Sequence, residues 1–600
     1  MKLAGIDYVV IFGFFALTLS IGIYASRKSG KDTSQYFLSG RNMPWWLLGM
    51  SMVATTFSTD TPNLVTDLVR TRGVAGNWLW WAFLITGMLT VFIYARLWRK
   101  SNVTTDLEFY ELRYGGKPAA FLRGFRSIYL GLIFNVFAMA AVTLGAIKIG
   151  EVMLGLSPLV TIGLAGLITV IFSALGGFRG VVFTDFVLFF VAMSGSIGAA
   201  YFSVNHEAVG GISKLLSHPN VVSKIEIFPD FGNTELFVTL LVIPLAVQWW
   251  SAWYPGAEPG GGGYVAQRML AAKDENHAIG ATFFFNILHY ALRPWAWILV
   301  ALASLVVFPD VASIKEAFPL VSEGKLGDDL AYPAMLTFLP AGLMGLVMAS
   351  LVAAYMSTIS THLNWGASYI VNDFYRRIIN ADASEKTLVN VGRLSTVLLM
   401  LVSTGLALSF TNAAQVFEVV LMFGAGSGLI FLLRWFWWRI NAWSEIAAMS
   451  VSGVTSILLT FTPLGPAMFG TEGALPGFWR FPFVVVVTTI SWVVVTFLTK
   501  PEKDETLIEF YKHIEPGGIG WEKIIKAGGI EKGSGEPGGV RITSGIIASV
   551  LGMLLVYSVM FGTGYWLYGR YAVATVMTIL AIVCALLLKR AWTKLRVEQG

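Results

Sequence analysis

The chain has 600 residues, 56% of them hydrophobic and 13% charged, with a mean hydropathy of +0.68. That composition excludes a soluble globular or disordered protein and describes an integral membrane protein. The formal charge of +6 comes mostly from basic loops beside apolar segments, so it gives no sign of a nucleic-acid partner, and the lone Cys584 excludes an internal disulfide or a thiolate metal site.

In chain order, apolar windows predict about fifteen membrane-spanning helices, near residues 6–26, 44–70, 77–98, 122–150, 157–176, 181–203, 234–254, 276–308, 333–371, 388–410, 413–433, 442–463, 481–498, 543–563 and 570–589. The first, Tyr8 to Tyr24, is preceded only by Lys2 and followed by Arg27 and Lys28 instead of a small-residue cleavage site, so it reads as a retained helix. The second is interrupted by Thr55-Thr56-Phe57-Ser58-Thr59-Asp60-Thr61-Pro62-Asn63. The seventh is interrupted by Pro244, then Tyr254-Pro255-Gly256-Ala257-Glu258-Pro259 and the glycines 260–263. Proline removes a backbone donor and glycine weakens the helix, which frees polar backbone at membrane depth, where it is tolerated only if it lines a cavity or touches a ligand. The two breaks lie five spans apart, as in inverted repeats built around a site at the midplane.

The span near 181–203 carries a single carboxylate, Asp185. The stretch Ala341 to Ile370 carries Ser357-Thr358-Ile359-Ser360-Thr361, four hydroxyls on one helical face. A buried negative charge beside a row of oxygens suits a small hard cation, so these residues suggest a sodium (Na+) site in a transporter. A solute would sit at the breaks, near Thr56, Ser58, Asp60, Thr61, Gln248, Trp249 and Trp250, with Trp80, Trp81, His289 and Arg293 facing in. Hydroxyls with tryptophan faces suit a sugar-like ring, and free amides at a broken helix end suit a sugar acid. The stretch Lys500 to Arg541, rich in charge, glycine and proline, reads as a cytoplasmic linker without chemistry, its one amphipathic piece lying around Leu507 to Ile514.

The loops holding Arg27, Lys28, Lys31 and Arg41, then Arg96 to Arg126, then Arg376, Arg377 and Lys386, then Arg434 and Arg439 are expected on the cytoplasmic side. An odd number of spans then leaves the amino terminus outside and the tail Lys589, Arg590, Lys594 and Arg596 inside, in the plasma (inner) membrane. No enzyme is expected: six scattered histidines form no His-Glu-x-x-His motif, and there is no Cys cluster or Gly-x-Ser-x-Gly elbow.

Gly40-Arg41-Asn42-Met43-Pro44-Trp45-Trp46-Leu47-Leu48-Gly49-Met50-Ser51 closely resembles the start of the first core helix in the sodium:solute symporter family. Tyr264-Val265-Ala266-Gln267-Arg268-Met269-Leu270-Ala271-Ala272-Lys273 and Ala354 through Tyr375 resemble it in the same order. The similarity covers roughly residues 1 to 440. It implies a LeuT-type fold, two inverted five-helix repeats with additional N-terminal and C-terminal helices, and solute uptake coupled to sodium. By position it implies a common sodium site from the carbonyls of Ala54, Phe57 and Ala354 with the side chains of Ser357 and Thr358. A second site, found in some members, would use Asp185 with Ser357, Ser360 and Thr361. Thr56, Ser58 and Thr61 match positions with which sialic-acid-selective members hold the solute carboxylate. The sugar members' Glu and Gln on the next helix and Gln on the tenth core helix are here Trp and apolar residues such as Val420, and the insertion Tyr254 to Gly263 departs from the pattern.

The implied organisation is an N-terminal helix and loop over 1–43, a first repeat over 44–203, an extracellular loop over 204–233 and a second repeat over 234–434. Additional helices over 435–498, a linker over 499–541 and C-terminal helices over 542–600 follow. The expected partners are a small solute, sodium ions and the lipid bilayer, with no obligatory protein partner. Alternatives within transport are an amino-acid or vitamin solute, or proton coupling through Asp60 and Glu258. A channel is disfavoured because no filter motif repeats.

Overall fold

Long apolar runs in a bilayer have no water to satisfy their amides and carbonyls, so they fold as helices. The computed structural model describes residues 3–26, 38–103, 106–173, 178–252, 258–470, 473–530 and 542–595, and among them ten helices are long and apolar enough to cross a membrane. Shorter apolar helices, including Trp45–Thr55 and Thr234–Ala246, supply further segments where the chain is interrupted. Length and composition alone therefore do not reach the expected fifteen. Arg27, Lys28, Lys31, the Tyr254–Ala257 part of the second break, the linker's end at Arg541 and Arg596 lie outside the described residues.

The helices used below are α1 (Gly5–Ser26), α2 (Trp45–Thr55), α3 (Asp60–Arg72), α4 (Val74–Ser101), α5 (Gly116–Leu154), α6 (Pro158–Ser173), α7 (Phe178–Val204), α8 (Thr234–Ala246), α9 (Gly263–Ala271) and α10 (Glu275–Val307). They continue as α11 (Leu343–Ile379), α12 (Glu385–Ser409), α13 (Ala413–Ala425), α14 (Ala442–Phe461), α15 (Gly477–Leu498), α16 (Asp504–Ile514), α17 (Glu522–Ala527), α18 (Ile542–Leu567) and α19 (Tyr571–Leu595). The broken pair α2 and α3 is the centre of the molecule. Helix α2 packs against α7, α10 and α11, while α3 packs against α5, α10 and α13. Helix α1 lies against α7 and α11, and its Asp7 carboxylate accepts from the Gly342 and Gly345 amides at 2.7 and 2.8 Å. That anion satisfies donors which the start of α11 leaves open and complements its dipole, fixing the helix that carries the hydroxyl row.

The described part of the stretch expected to be a plain linker, up to residue 530, is instead folded. Leu507, Phe510 and Ile514 of α16, with Trp521 and with Ile524 of α17, are completely buried. The Trp521 indole donates to the Trp435 carbonyl at 2.9 Å, and Lys100 at the end of α4 pairs with Glu515 at 2.6 Å. The spacing of Leu507, Phe510 and Ile514 gives one apolar stripe on a short helix, which alone is marginal and is held by what it covers.

At the opposite end Arg570 pairs with Glu226 at 2.5 Å, and this hydrogen bond holds the Glu226 carboxyl below the ordinary glutamate range. A depressed carboxylate stabilises the fold at neutral pH and loses that contribution as pH falls through its folded value. The pair is largely exposed, so Arg570→Gln is expected to cost under about 1 kcal/mol and to leave the thermal midpoint at pH 7 nearly unchanged.

Candidate functional site

Helix α2 stops where threonines compete for its carbonyls. Thr55 donates to the Ser51 carbonyl at 2.8 Å and Thr56 to the Val53 carbonyl at 2.7 Å. The chain restarts at Asp60, whose charge suits a helix start, and Pro62 is tolerated in a first turn whose amides would be unpaired anyway. Across the gap, Thr59 donates to the Val142 carbonyl at 2.7 Å, and a Cβ on Gly145 would come within 2.8 Å of the Asp60 nitrogen. A glycine is therefore required where α5 crosses the break.

Two cavities flank this segment. The larger, about 60 Å³, is lined by Thr56, Asp60, Thr61, Trp80 and His289, with an apolar wall that includes Val416 and Val420. The smaller, about 10 Å³, is lined by Phe57 and Ser58 from the break, Ser196 from α7, Tyr332, and Ser350 and Ala354 from α11. The backbone positions expected to hold the common sodium ion, Phe57 and Ala354, thus share one cavity, and Ala54 is buried just before it. On α11, Thr358 and Ser360 are buried, while Ser357 and Thr361 are half-buried. An oxygen set of carbonyls and hydroxyls suits sodium.

Of the expected solute residues, Thr56, Asp60, Thr61, Trp80 and His289 line the larger cavity, whereas Ser58, Trp81, Gln248, Trp249, Trp250 and Arg293 do not. Ser58 donates to Asp60 and faces the smaller cavity. Gln248 spends its amide on the Leu79 carbonyl at 2.6 Å, beyond the end of α8, and Trp249 packs edge-on against Trp250 at 5.1 Å. His289 is presented by a widened turn of α10: Pro294 cannot donate, and the Arg293 amide reaches back to Leu288 at 3.3 Å.

Arg293, which the sequence only pointed inward, organises the break. Its guanidinium donates to Thr56 Oγ1 at 2.5 Å and to the Thr56 carbonyl at 3.1 Å, and it lies 4.3 Å from the Phe57 ring and 4.8 Å from that of Trp297. A fixed cation thereby complements the C-terminal end of α2, as Asp60 complements the start of α3.

Asp185 is fully buried. Its carboxylate accepts from Ser51 at 2.6 Å, and the Arg268 guanidinium lies 3.7 Å away while donating to Thr55 at 3.1 Å. The side chain of Arg179, the alternative partner in sequence, lies outside the described residues. Arg268 sits in the stretch Tyr264 to Lys273 and could have been picked out there as a buried basic residue. An ion on Asp185 would share the carboxylate with Arg268. Asp185→Asn and Ser360→Ala are each expected to raise half-saturating sodium or lower the sodium stoichiometry while expression stays intact, and sodium titration of uptake checks this. Glu258, the other carboxylate considered for proton coupling, is buried in an ion pair with Arg126 and lies 4.0 Å from Arg434, which itself pairs with Glu445 at 3.2 Å.

The profile of the Sodium:solute symporter family matches residues 36–451. The sodium/glucose cotransporter of Vibrio parahaemolyticus is 27% identical over 77% of this chain and 86% of its own. The sodium/myo-inositol cotransporter of Mus musculus is 28% identical over 82% of this chain and 73% of its own. A solved substrate-bound, outward-open Na+-coupled sialic acid symporter superposes with a TM-score of 0.61 at 22% identity, covering 84% of this chain and all of that one. The last comparison shows a shared all-helical transporter fold.

Proposed function

The chain belongs to the sodium:solute symporter family, and from that membership we propose that it imports a small polar organic solute, a sugar or a sugar acid, by sodium-driven alternating access. The observation that carries this reading is that the break, with the first turn of α3, lines both cavities, through Thr56, Asp60 and Thr61 on one side and Phe57 and Ser58 on the other. An ion drawing the Phe57 carbonyl toward α11 changes the shape of the wall that the solute meets, which is a physical route to coupling. Sodium would be held by the carbonyls of Ala54, Phe57 and Ala354 with Ser357 and Thr358, and a second ion by Asp185 with Ser357, Ser360 and Thr361. Relatives named for glucose, myo-inositol and sialic acid support a ring bearing several hydroxyls. Trp80 offers such a ring a flat face, and Asp60 and His289 offer it polar partners.

Each sodium ion moved inward releases about 2.3 kcal/mol per 100 mV, and a tenfold gradient adds about 1.4 kcal/mol. Two ions would then sustain roughly 10⁵-fold accumulation. The protein would lie in the plasma membrane with its basic loops and tail in the cytoplasm. Proteoliposome uptake with an inward sodium gradient, against a sodium-free control at fixed pH, tests the coupling. Solute uptake that ignores sodium would overturn it. A thermal-shift screen of sugars, cyclitols, sugar acids, amino acids and vitamins, with and without sodium, identifies the solute.

A further inference from the structure

Helix α3 is polar where a membrane core helix is ordinarily apolar. Asn63, Thr66, Asp67 and Arg70 recur at helical spacing on one face, and all four are buried, Asn63 and Thr66 completely. Among the described residues, both amide atoms of Asn63, Thr66 Oγ1 and Asp67 Oδ2 have no hydrogen-bond partner. Buried polar atoms are ordinarily paired, so several unpaired ones converging on a single turn mark a place for something that binds oxygen.

The surrounding charges indicate what binds. Arg70 is held by Asp328 at 2.8 Å, by Ser304 and by the Phe308 carbonyl through two of its nitrogens, its Nη2 having no hydrogen-bond partner among the described residues. Lys148 of α5 is spent on Asp329, which also accepts from the Ala413 amide of α13 at 3.0 Å. Arg72, two residues further on, turns outward to Glu418. The ion pairs of these buried cations thus go to Asp328 and Asp329, and among the described residues the Asp67 carboxylate has none. An uncompensated carboxylate in a sealed interior is costly unless a cation joins it.

We propose that Asn63 Oδ1, Thr66 Oγ1 and the Asp67 carboxylate form a further sodium site on α3, on the opposite side of the break from α2. Three oxygen donors at positions i, i+3 and i+4 of one helix can close on a small cation, and none of the three belongs to the sites formed with α11. The site therefore stands or falls independently of the ions at Ser357, Thr358 and Asp185.

The test uses the full-length protein in detergent, with choline replacing sodium at constant ionic strength and fixed pH. Radiolabelled sodium binding gives the stoichiometry, and a sodium-dependent thermal shift gives the affinity. Thr66→Ala and Asp67→Asn are each expected to lose one sodium ion per chain, or to raise its half-saturating concentration by about tenfold or more. Ser357→Ala should remove a different ion and leave this one. If Asp67→Asn does not fold, Thr66→Ala and Asn63→Leu decide the matter. Wild-type stoichiometry and affinity in the folded variants would overturn the site while leaving the symporter reading intact. So would a stabilisation that follows pH and ignores sodium, since the occupant would then be a proton.

Discussion

Replacing Ser357 and Thr358 together by alanine is expected to abolish sodium-driven accumulation while the protein still inserts and folds. Ser357 is half-buried and Thr358 buried on α11, within a turn of Ala354, which shares a cavity with Phe57 of the break. A polar contact to a full charge is worth about 1.5–3 kcal/mol, so losing two should weaken sodium binding roughly a hundredfold or more. Ser357→Ala removes only a hydroxyl, and Thr358→Val, which keeps the side-chain volume, should show the same loss, separating this outcome from a packing defect. Thr358→Ser keeps the oxygen and should retain most of the activity. Sodium titration of uptake in proteoliposomes reads the effect, and a double variant with wild-type sodium dependence would remove the ion from α11.

Lys148→Met is expected to be the most damaging single substitution for stability. Both Lys148 and Asp329 have side chains with no solvent exposure, and Lys148 is the ammonium on that carboxylate. Removing one member of a buried pair strands the other charge, at a cost of about 3–5 kcal/mol. The double variant Lys148→Met with Asp329→Leu should recover much of the loss, because the same desolvation that makes the stranded charge costly makes an apolar pair acceptable. Thermal unfolding of the purified single and double variants measures both quantities. A single variant as stable as the parent would mean that Asp329 reaches solvent or another cation.

Much of this was legible in the sequence, because the bilayer restricts what a chain can do. The Thr-Thr-Phe-Ser-Thr-Asp-Thr-Pro run could only be a break, and the structure ends α2 at Thr55 and restarts at Asp60. Thr56, Asp60, Thr61, Trp80 and His289 were named from local chemistry and line one cavity. What stayed hidden were choices among distant partners. Periodicity cannot show that Asp185 meets Ser51 and Arg268, or that Gln248 turns its amide to the Leu79 carbonyl. The amphipathic piece around Leu507 to Ile514 was visible, but its short stripe gave no sign of the aromatic surface awaiting it.

That folded stretch beneath the bundle bears on how the molecule can move. It is fastened to the end of α4 through Lys100 and Glu515 and to the chain beyond α13 through Trp521 and Trp435, so it ties together two parts of the chain more than 300 residues apart. Any rocking that parts those two anchorages must break an ion pair and an indole hydrogen bond and wet five side chains that are now dry. The stretch is in this sense a clamp on that motion, and it lies beyond the part of the chain that the family profile covers.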